Sequence, residues 1–212
     1  MGAAPDGLVD DAARARLQHF AELLLDINRH LNLTGARDAD ALWRAHIADS
    51  LALFPLIHED HRLLDLGSGG GLPGLVLACT RPNLHVTLLD ARRKKVAALE
   101  QLIAALALPN AAAVWGRAEK LAEDAALRGV FDVVTARAVA ALPVLIEWSA
   151  PFVRPGGVCW FFKSTAALEH EVAAAATLAA RRRMAALPVH EYLLKGDAIP
   201  RVLLGYRKLA SS

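Results

Sequence analysis

One stretch constrains this chain more than any other: Leu63-Leu64-Asp65-Leu66-Gly67-Ser68-Gly69-Gly70-Gly71-Leu72-Pro73-Gly74. A short apolar run that enters a glycine turn reads as a buried strand. Pro73 stands where a helix begins, a favoured place for proline because the first helical amides have no partner inside the helix. Five glycines between positions 67 and 74 carry an entropic cost, and close approach of the backbone to a ligand is a reason to bear it. The plainer alternative is a glycine turn that binds nothing.

Two patterns overlap in this stretch. Gly69, Gly71 and Gly74 satisfy G-x-G-x-x-G, a weak sign of a dinucleotide site, while Asp65, Gly67, Gly69 and Gly71 satisfy D-x-G-x-G-x-G. The second pattern adds a carboxylate at the strand end, and chemistry separates the two. A pyrophosphate wants amide N–H groups and a helix N-terminus, with no anion nearby. S-adenosylmethionine has no phosphate; it carries an ammonium and a sulfonium, which an acidic residue suits. The next strand ends in Leu88-Leu89-Asp90, and Asp90 lies 23 positions after Gly67, near the spacing of a ribose-binding carboxylate. Its other reading is a cap for the helix that opens at Arg92.

The rest of the chain fits an alternating plan. Leu17, Phe20, Leu24, Ile27 and Leu31 form one stripe of an amphipathic helix, which Asn32-Leu33-Thr34-Gly35 stops. Asp38 caps a second helix that runs to about Phe54, before Pro55. Strands are predicted at Leu63–Leu66, Val86–Leu89, Ala111–Trp115, Phe131–Ala136 and Val158–Phe162. Helices are predicted at about Pro73–Thr80, Arg92–Leu106, Glu119–Leu127, Leu142–Phe152 and Ala166–Met184. Strands alternating with helices imply a parallel, doubly wound sheet, and Val189–Leu194 with Arg201–Leu209 would add a terminal antiparallel pair. The expectation is a helical extension over residues 1–60 packed on a domain over 61–212.

Several strings together resemble a known family. Asp65–Gly74, Thr87-Leu88-Leu89-Asp90, Lys94-Lys95-Val96 and Phe131-Asp132-Val133-Val134 are similar to the class I methyltransferase core. Asn32-Leu33-Thr34, His46-Ile47-x-Asp49-Ser50-Leu51, Gly71-Leu72-Pro73-Gly74, Arg117-x-Glu119, Ala136-Arg137-Ala138 and Lys163 resemble the RsmG (GidB) family, bacterial small-subunit rRNA guanine-N7 methyltransferases. The resemblance spans about residues 17 to 165. It implies an α/β, Rossmann-like fold with a seven-stranded, mostly parallel sheet. It also implies S-adenosylmethionine as methyl donor and a guanine of 16S rRNA, free or in the small ribosomal subunit, as acceptor. Carried over by position, Gly67 and Leu72 would line the donor site with the other loop residues Asp65, Gly69 and Gly71, and Asp90 would take the ribose. Ala118 and Glu119 would lie beside the adenine, and Arg137 would face both donor and target base.

Guanine N7 presents an in-plane lone pair, so attack on a sulfonium methyl needs no general base, and proximity and orientation should dominate. No Asp/Asn-Pro-Pro-Tyr/Phe string for exocyclic amines follows the fourth strand, which ends Thr135-Ala136-Arg137-Ala138. Cys79 and Cys159 read as buried free thiols, not nucleophiles, and point to a reducing, cytoplasmic setting. Arg137 and Lys163 are the expected catalytic residues: Arg137 is assigned to the guanine O6 edge, or else to a salt bridge with Asp132 or Glu147; Lys163 is assigned to a phosphate or to site closure, or else to a snorkelling strand end, and it leaves open the lysine base of a 2′-O-methyltransferase.

Hydrophobic residues at 55% against 22% charged describe a globular chain, and no apolar run is long enough to span a membrane. The start Met1-Gly2-Ala3-Ala4-Pro5-Asp6 is not a signal peptide or a myristoylation site. The eight histidines show no metal spacing; His46 reads as structural and the His58/His61 loop as solvated. Arg92–Lys95, Arg181–Arg183, Arg201, Arg207 and Lys208, with Arg14, Arg16, Arg29 and Arg37, could form an RNA-facing rim. A monomer without metal is expected. The rivals are a small-molecule methyltransferase, an NAD-dependent dehydrogenase and a non-catalytic RNA-binding module.

Overall fold

The computed structural model describes residues 2–3, 9–165 and 168–210. The targeting reading of the first six residues and the helix start expected at Ala166 therefore fall wholly or partly outside the described residues. A two-residue strand, β1 (Gly2–Ala3), precedes helix α1 (Asp11–Asn28). Asp10 caps α1 by accepting the Ala13 amide at 2.7 Å. The helix ends at Asn28, short of the expected Leu31, because the Asn28 carboxamide accepts the amides of Leu33 and Thr34 and donates to the Thr34 carbonyl. One side chain thereby folds the following loop back against the helix end.

The second helix is not the single regular helix expected over 38–54. It is built as α2 (Ala39–Leu42), a π-turn at Trp43–Ile47, α3 (Ala48–Ser50) and a 3-10 turn at Leu51–Leu56 that contains Pro55. The wide turn changes the helical phase just before Asp49. Strand β2 (Arg62–Leu66) then leads through the glycine turn into α4 (Gly74–Thr80), followed by β3 (His85–Asp90), α5 (Arg93–Ala105) and β4 (Ala111–Trp115). Next come α6 (Ala118–Leu121), β5 (Phe131–Arg137), α7 (Leu142–Ser149), β6 (Val153–Ser164), α8 (Leu168–Arg181), β7 (Met184–Ala186), β8 (His190–Leu193) and β9 (Arg201–Lys208). The helix expected through Leu127 stops at Leu121, and Asp124 draws the Ala126 amide onto its side chain in the turns beyond. Strand β6 starts earlier than Val158: its register against β5 slips after Val153, around the left-handed Gly156, and then resumes.

All strands join one sheet in the order β1-β8-β9-β6-β5-β2-β3-β4, with β7 on β9. The five core strands are parallel and β8 runs antiparallel to β9, as expected; β9 also runs antiparallel to β6, and β1 and β7 bring the expected seven strands to nine. The strand order reverses between β2 and β5, whose C-terminal ends open a crevice at the topological switch point. One apolar cluster takes in Leu17, Phe20 and Leu24 of α1, Ile47 of the π-turn, Leu75 of α4 and Leu88 of β3, so the N-terminal helices share the sheet's core. Polar ties reinforce this packing: Arg16 Nε donates to the Cys79 carbonyl at 2.9 Å, and Arg81 donates to the Phe54 carbonyl at 2.7 Å. Cys79 and Cys159 are buried free thiols. Among the described residues no helix is long and apolar enough to cross a membrane.

Gly74 lets α4 sit directly on the sheet. A Cβ there would fall 2.3 Å from Leu88 Cδ2 and 2.8 Å from Asp65 Oδ2. Gly74→Ala should destabilise the protein by about 1–3 kcal/mol, the usual penalty of overpacking. Urea unfolding should show a lower midpoint with an unchanged slope.

Candidate active site at the glycine loop

The loop between β2 and α4 is held from beneath. Gly67 and Ser68 amides donate to the Leu89 carbonyl, the Gly69 amide to Asp90 Oδ2 at 3.0 Å, and the Gly71 and Leu72 amides to the Ser68 carbonyl. Asp65 Oδ2 accepts the Gly74 amide at 3.0 Å, and the Ser68 hydroxyl donates to the Asp65 carbonyl. Gly67, Gly69 and Gly71 all have positive φ, which side-chain-bearing residues adopt only with strain. Of the six amides from Gly67 to Leu72, five are thus consumed internally. The loop has little N–H left for a phosphate; what remains to it is acceptor oxygen, which suits a cationic ligand.

Above the loop lies a cleft of about 620 Å³, walled by the loop, by Thr34 and Gly35, by His46 and Asp49, by Arg137 and Lys163, and by Tyr192 and Arg201. Arg137 stands opposite Gly67, two residues beyond the paired Asp65 and Thr135. Its guanidinium donates to Asp49 Oδ2 at 3.0 Å. The two partners considered from sequence are engaged elsewhere, Asp132 with Arg154 and Glu147 with Arg182, so that alternative is corrected. Lys163 pairs with Glu171 at 2.6 Å and donates to the Ala140 carbonyl at 2.9 Å; it is largely buried, not a snorkelling strand end. Burial works against the Glu171 carboxylate, but bonds from Lys163 and the Leu142 amide hold it below the ordinary carboxylate range.

The expected site residues divide into three groups. Gly67, Gly69, Leu72, Arg137 and Lys163 line the cleft. Asp65 and Gly71 lie in the base that shapes the loop and do not line it. Asp90, Ala118 and Glu119 gather at the neighbouring edge, where Asp90 pairs with Trp115 at the ends of β3 and β4 and α6 begins at Ala118. Asp90 holds backbone on both sides: one oxygen accepts the amide of Arg92, just before α5, at 2.8 Å, and the other accepts the Gly69 amide and ties down the loop. The exposed Trp115 closes the same edge, donating to the Ala91 carbonyl with Arg93 stacked over its ring.

Sequence reasoning missed Asp49, Tyr192 and Arg201 as cleft groups and took His46 as purely structural. The string that contains His46 and Asp49 was a usable signal; nothing local marks Tyr192. Asp49 is buried, accepts hydrogen bonds from the Tyr192 hydroxyl at 2.6 Å and Arg137 at 3.0 Å, and forms an ion pair with Arg201 Nη1 at 3.2 Å. Burial and the Asp49 charge push the Tyr192 phenol up, and burial followed by the Arg137 charge holds His46 below the ordinary imidazole value. The basic residues do not form one rim: Lys95 and Arg201 reach the cleft, whereas Arg207 and Lys208 pair with β7 at the opposite end of the sheet, beside Arg182 and Arg183. Among the described residues no group of His, Cys, Asp or Glu is arranged to hold a metal.

A glycine-walled crevice at the switch point of this sheet is the arrangement of the class I methyltransferases. The fold matches that of the O-methyltransferase from Bacillus cereus in complex with S-adenosylhomocysteine, at TM-score 0.61 and 18% identity over 90% of this chain and 91% of that one. It also matches M. jannaschii TYW2 in complex with AdoMet, at TM-score 0.60 and 14% identity over 77% and 76%. The chain belongs to the family of rRNA small subunit methyltransferase G, whose model matches residues 13–194. Ribosomal RNA small subunit methyltransferase G of Sorangium cellulosum is 44% identical over 180 residues, covering 84% of this chain and 74% of that protein. The protein of that name from Acidiphilium cryptum is 44% identical over 174 residues, covering 81% and 77%.

Burial pushes the Asp65 carboxyl up to about 7, against an ordinary value near 4. The folded protein then holds a proton that the unfolded chain releases, so stability is highest below the unfolded value and falls as pH rises towards 7. Urea midpoints measured from pH 5 to 8 should decline in the parent and flatten in Asp65→Asn.

Proposed function

We propose that this protein transfers the methyl group of S-adenosylmethionine to N7 of one guanine in 16S rRNA. Membership of the rRNA small subunit methyltransferase G family supports the donor and the RNA class. The observation that carries the reading at the level of chemistry is the loop in which five of the six amides are turned inward. That wall fits a sulfonium and an ammonium and is poor for a pyrophosphate, which favours a methyl donor over a nicotinamide dinucleotide.

When bound, S-adenosylmethionine supplies an electrophilic methyl group. Gly67, Gly69 and Leu72 hold its methionine end against the loop, with Asp65 and Gly71 fixing the loop's shape from below. Asp90 has acceptor capacity left for ribose hydroxyls after its two backbone bonds. Ala118 and Glu119 flank the adenine at the edge beyond Asp90. Arg137 directs the guanine through O6, leaving N7 free, and Lys163 braces the far wall through Glu171 and Ala140.

No proton need leave the nucleophile, and the cleft's ionisable groups accord with that. Asp49 is tied up by two hydrogen-bond donors and an ion pair, and His46 is a half-buried imidazole rather than part of a catalytic dyad. The contribution of the protein is orientation at close approach and exclusion of water. The target base must be presented unpaired or flipped, since N7 of a stacked guanine cannot enter a crevice of this depth.

Small-subunit rRNA from cells lacking the gene, incubated with methyl-labelled S-adenosylmethionine and cleaved chemically at N7-methylguanine, should show one labelled position. Label at any other atom, or none on rRNA or on the assembled subunit, would contradict the assignment. Arg137→Ala should lower the transfer rate by about 100-fold, within the range expected for an orienting group, while thermal unfolding moves far less.

A further inference from the structure

Three elements remote in sequence meet on one carboxylate. Asp49 follows the π-turn of the N-terminal helices, Tyr192 lies on β8, Arg201 opens β9, and Arg137 ends β5. The Asp49 side chain is 5% exposed and that of Arg137 13%. At this depth water screens the pair only partly, and a charge left uncompensated would act on anything bound beside it. The account balances: Arg201 also bonds Asp197 through Nε and Nη2, so two guanidinium groups face two carboxylates. Tyr192 contributes a neutral donor that holds Asp49 in place.

We infer that Asp49 is a positioning residue: it orients Arg137 in the cleft and cancels the arginine's charge, so that a cationic donor is bound without repulsion. The inference rests on the donor reading above and adds an electrostatic requirement to it. A methyl donor with a sulfonium carries one positive charge more than the sulfide left after transfer. An arginine aimed at the target base next to that sulfonium would oppose binding unless an anion sits behind it. Asp49 supplies that anion from the N-terminal helices, which ties this part of the chain to donor affinity as well as to the core.

The test compares two ligands that differ by the methyl group and its charge. Calorimetric dissociation constants for S-adenosylmethionine and S-adenosylhomocysteine are measured on the parent, Asp49→Asn and Arg201→Gln. Asp49→Asn should weaken binding of the cationic ligand about tenfold and of the neutral-sulfur ligand less than twofold, the size expected of one charge several ångströms away in a partly screened site. Arg201→Gln removes a positive charge from the same cluster. It should shift the ratio the other way by about two- to threefold, and because Arg201 is one-third exposed this variant remains informative if Asp49→Asn does not fold. A purely structural role would weaken both ligands together. An unchanged ratio in Asp49→Asn, or a shift of the same sign in Arg201→Gln, overturns the inference alone. A parent that binds neither ligand overturns the donor reading and this inference with it.

Discussion

A loop whose backbone donors are satisfied from below is the constraint on which the rest of the site depends. Five of the six amides from Gly67 to Leu72 turn towards Leu89, Asp90 and Ser68, and the Gly74 amide turns towards Asp65. Two strand-end carboxylates therefore act as anchors of the turn. This closes α4 tightly on the sheet and leaves few loop amides free for an anion in the crevice. Asp65 is fully buried, with one oxygen lacking a partner, and that burial is what raises its proton affinity.

The second organising feature is the burial of charge across the switch point. Asp49, Arg137, Tyr192 and Arg201 come from the N-terminal helices, the central strand β5 and the terminal hairpin. Buried ion pairs contribute little net stability, because desolvation offsets most of their attraction. Their value here is geometric. A guanidinium held between a carboxylate and a cleft wall cannot wander, and catalysis that relies on orientation needs that rigidity. The Lys163–Glu171 pair does the same for the opposite wall by joining β6 to α8.

The regular core of the fold was legible in the sequence because β2, β3 and β5 are nearly continuous buried apolar runs, and they and the half-exposed edge strand β4 are bounded by turn residues. Ala111–Trp115 has the expected limits, and β2, β3 and β5 differ from expectation by one or two residues. Elsewhere local cues misled. The strand expected from Val158 begins at Val153, because a register slip carries β6 through Pro155-Gly156-Gly157. Asn28 and Asp124 shorten their helices with side-chain bonds that no periodicity reveals. The π-turn at Trp43–Ile47 is set by packing on the sheet, since its sequence suits an ordinary helix.

What the sequence determined by itself was the chemistry of the loop: glycines where φ is positive, carboxylates where amides need acceptors, and a proline at the helix start. Those are local requirements, and local residues meet them. The tertiary structure decided which charges meet. Arg137 could have paired with an acid near it in sequence, and Asp132 and Glu147 were available by type. Strand direction sends Asp132 to the far end of β5, towards Arg154, and brings Asp49 to the near end from 88 positions away. Charge pairing is a matter of distance in space, and only the crossing of the chain at the switch point sets that distance.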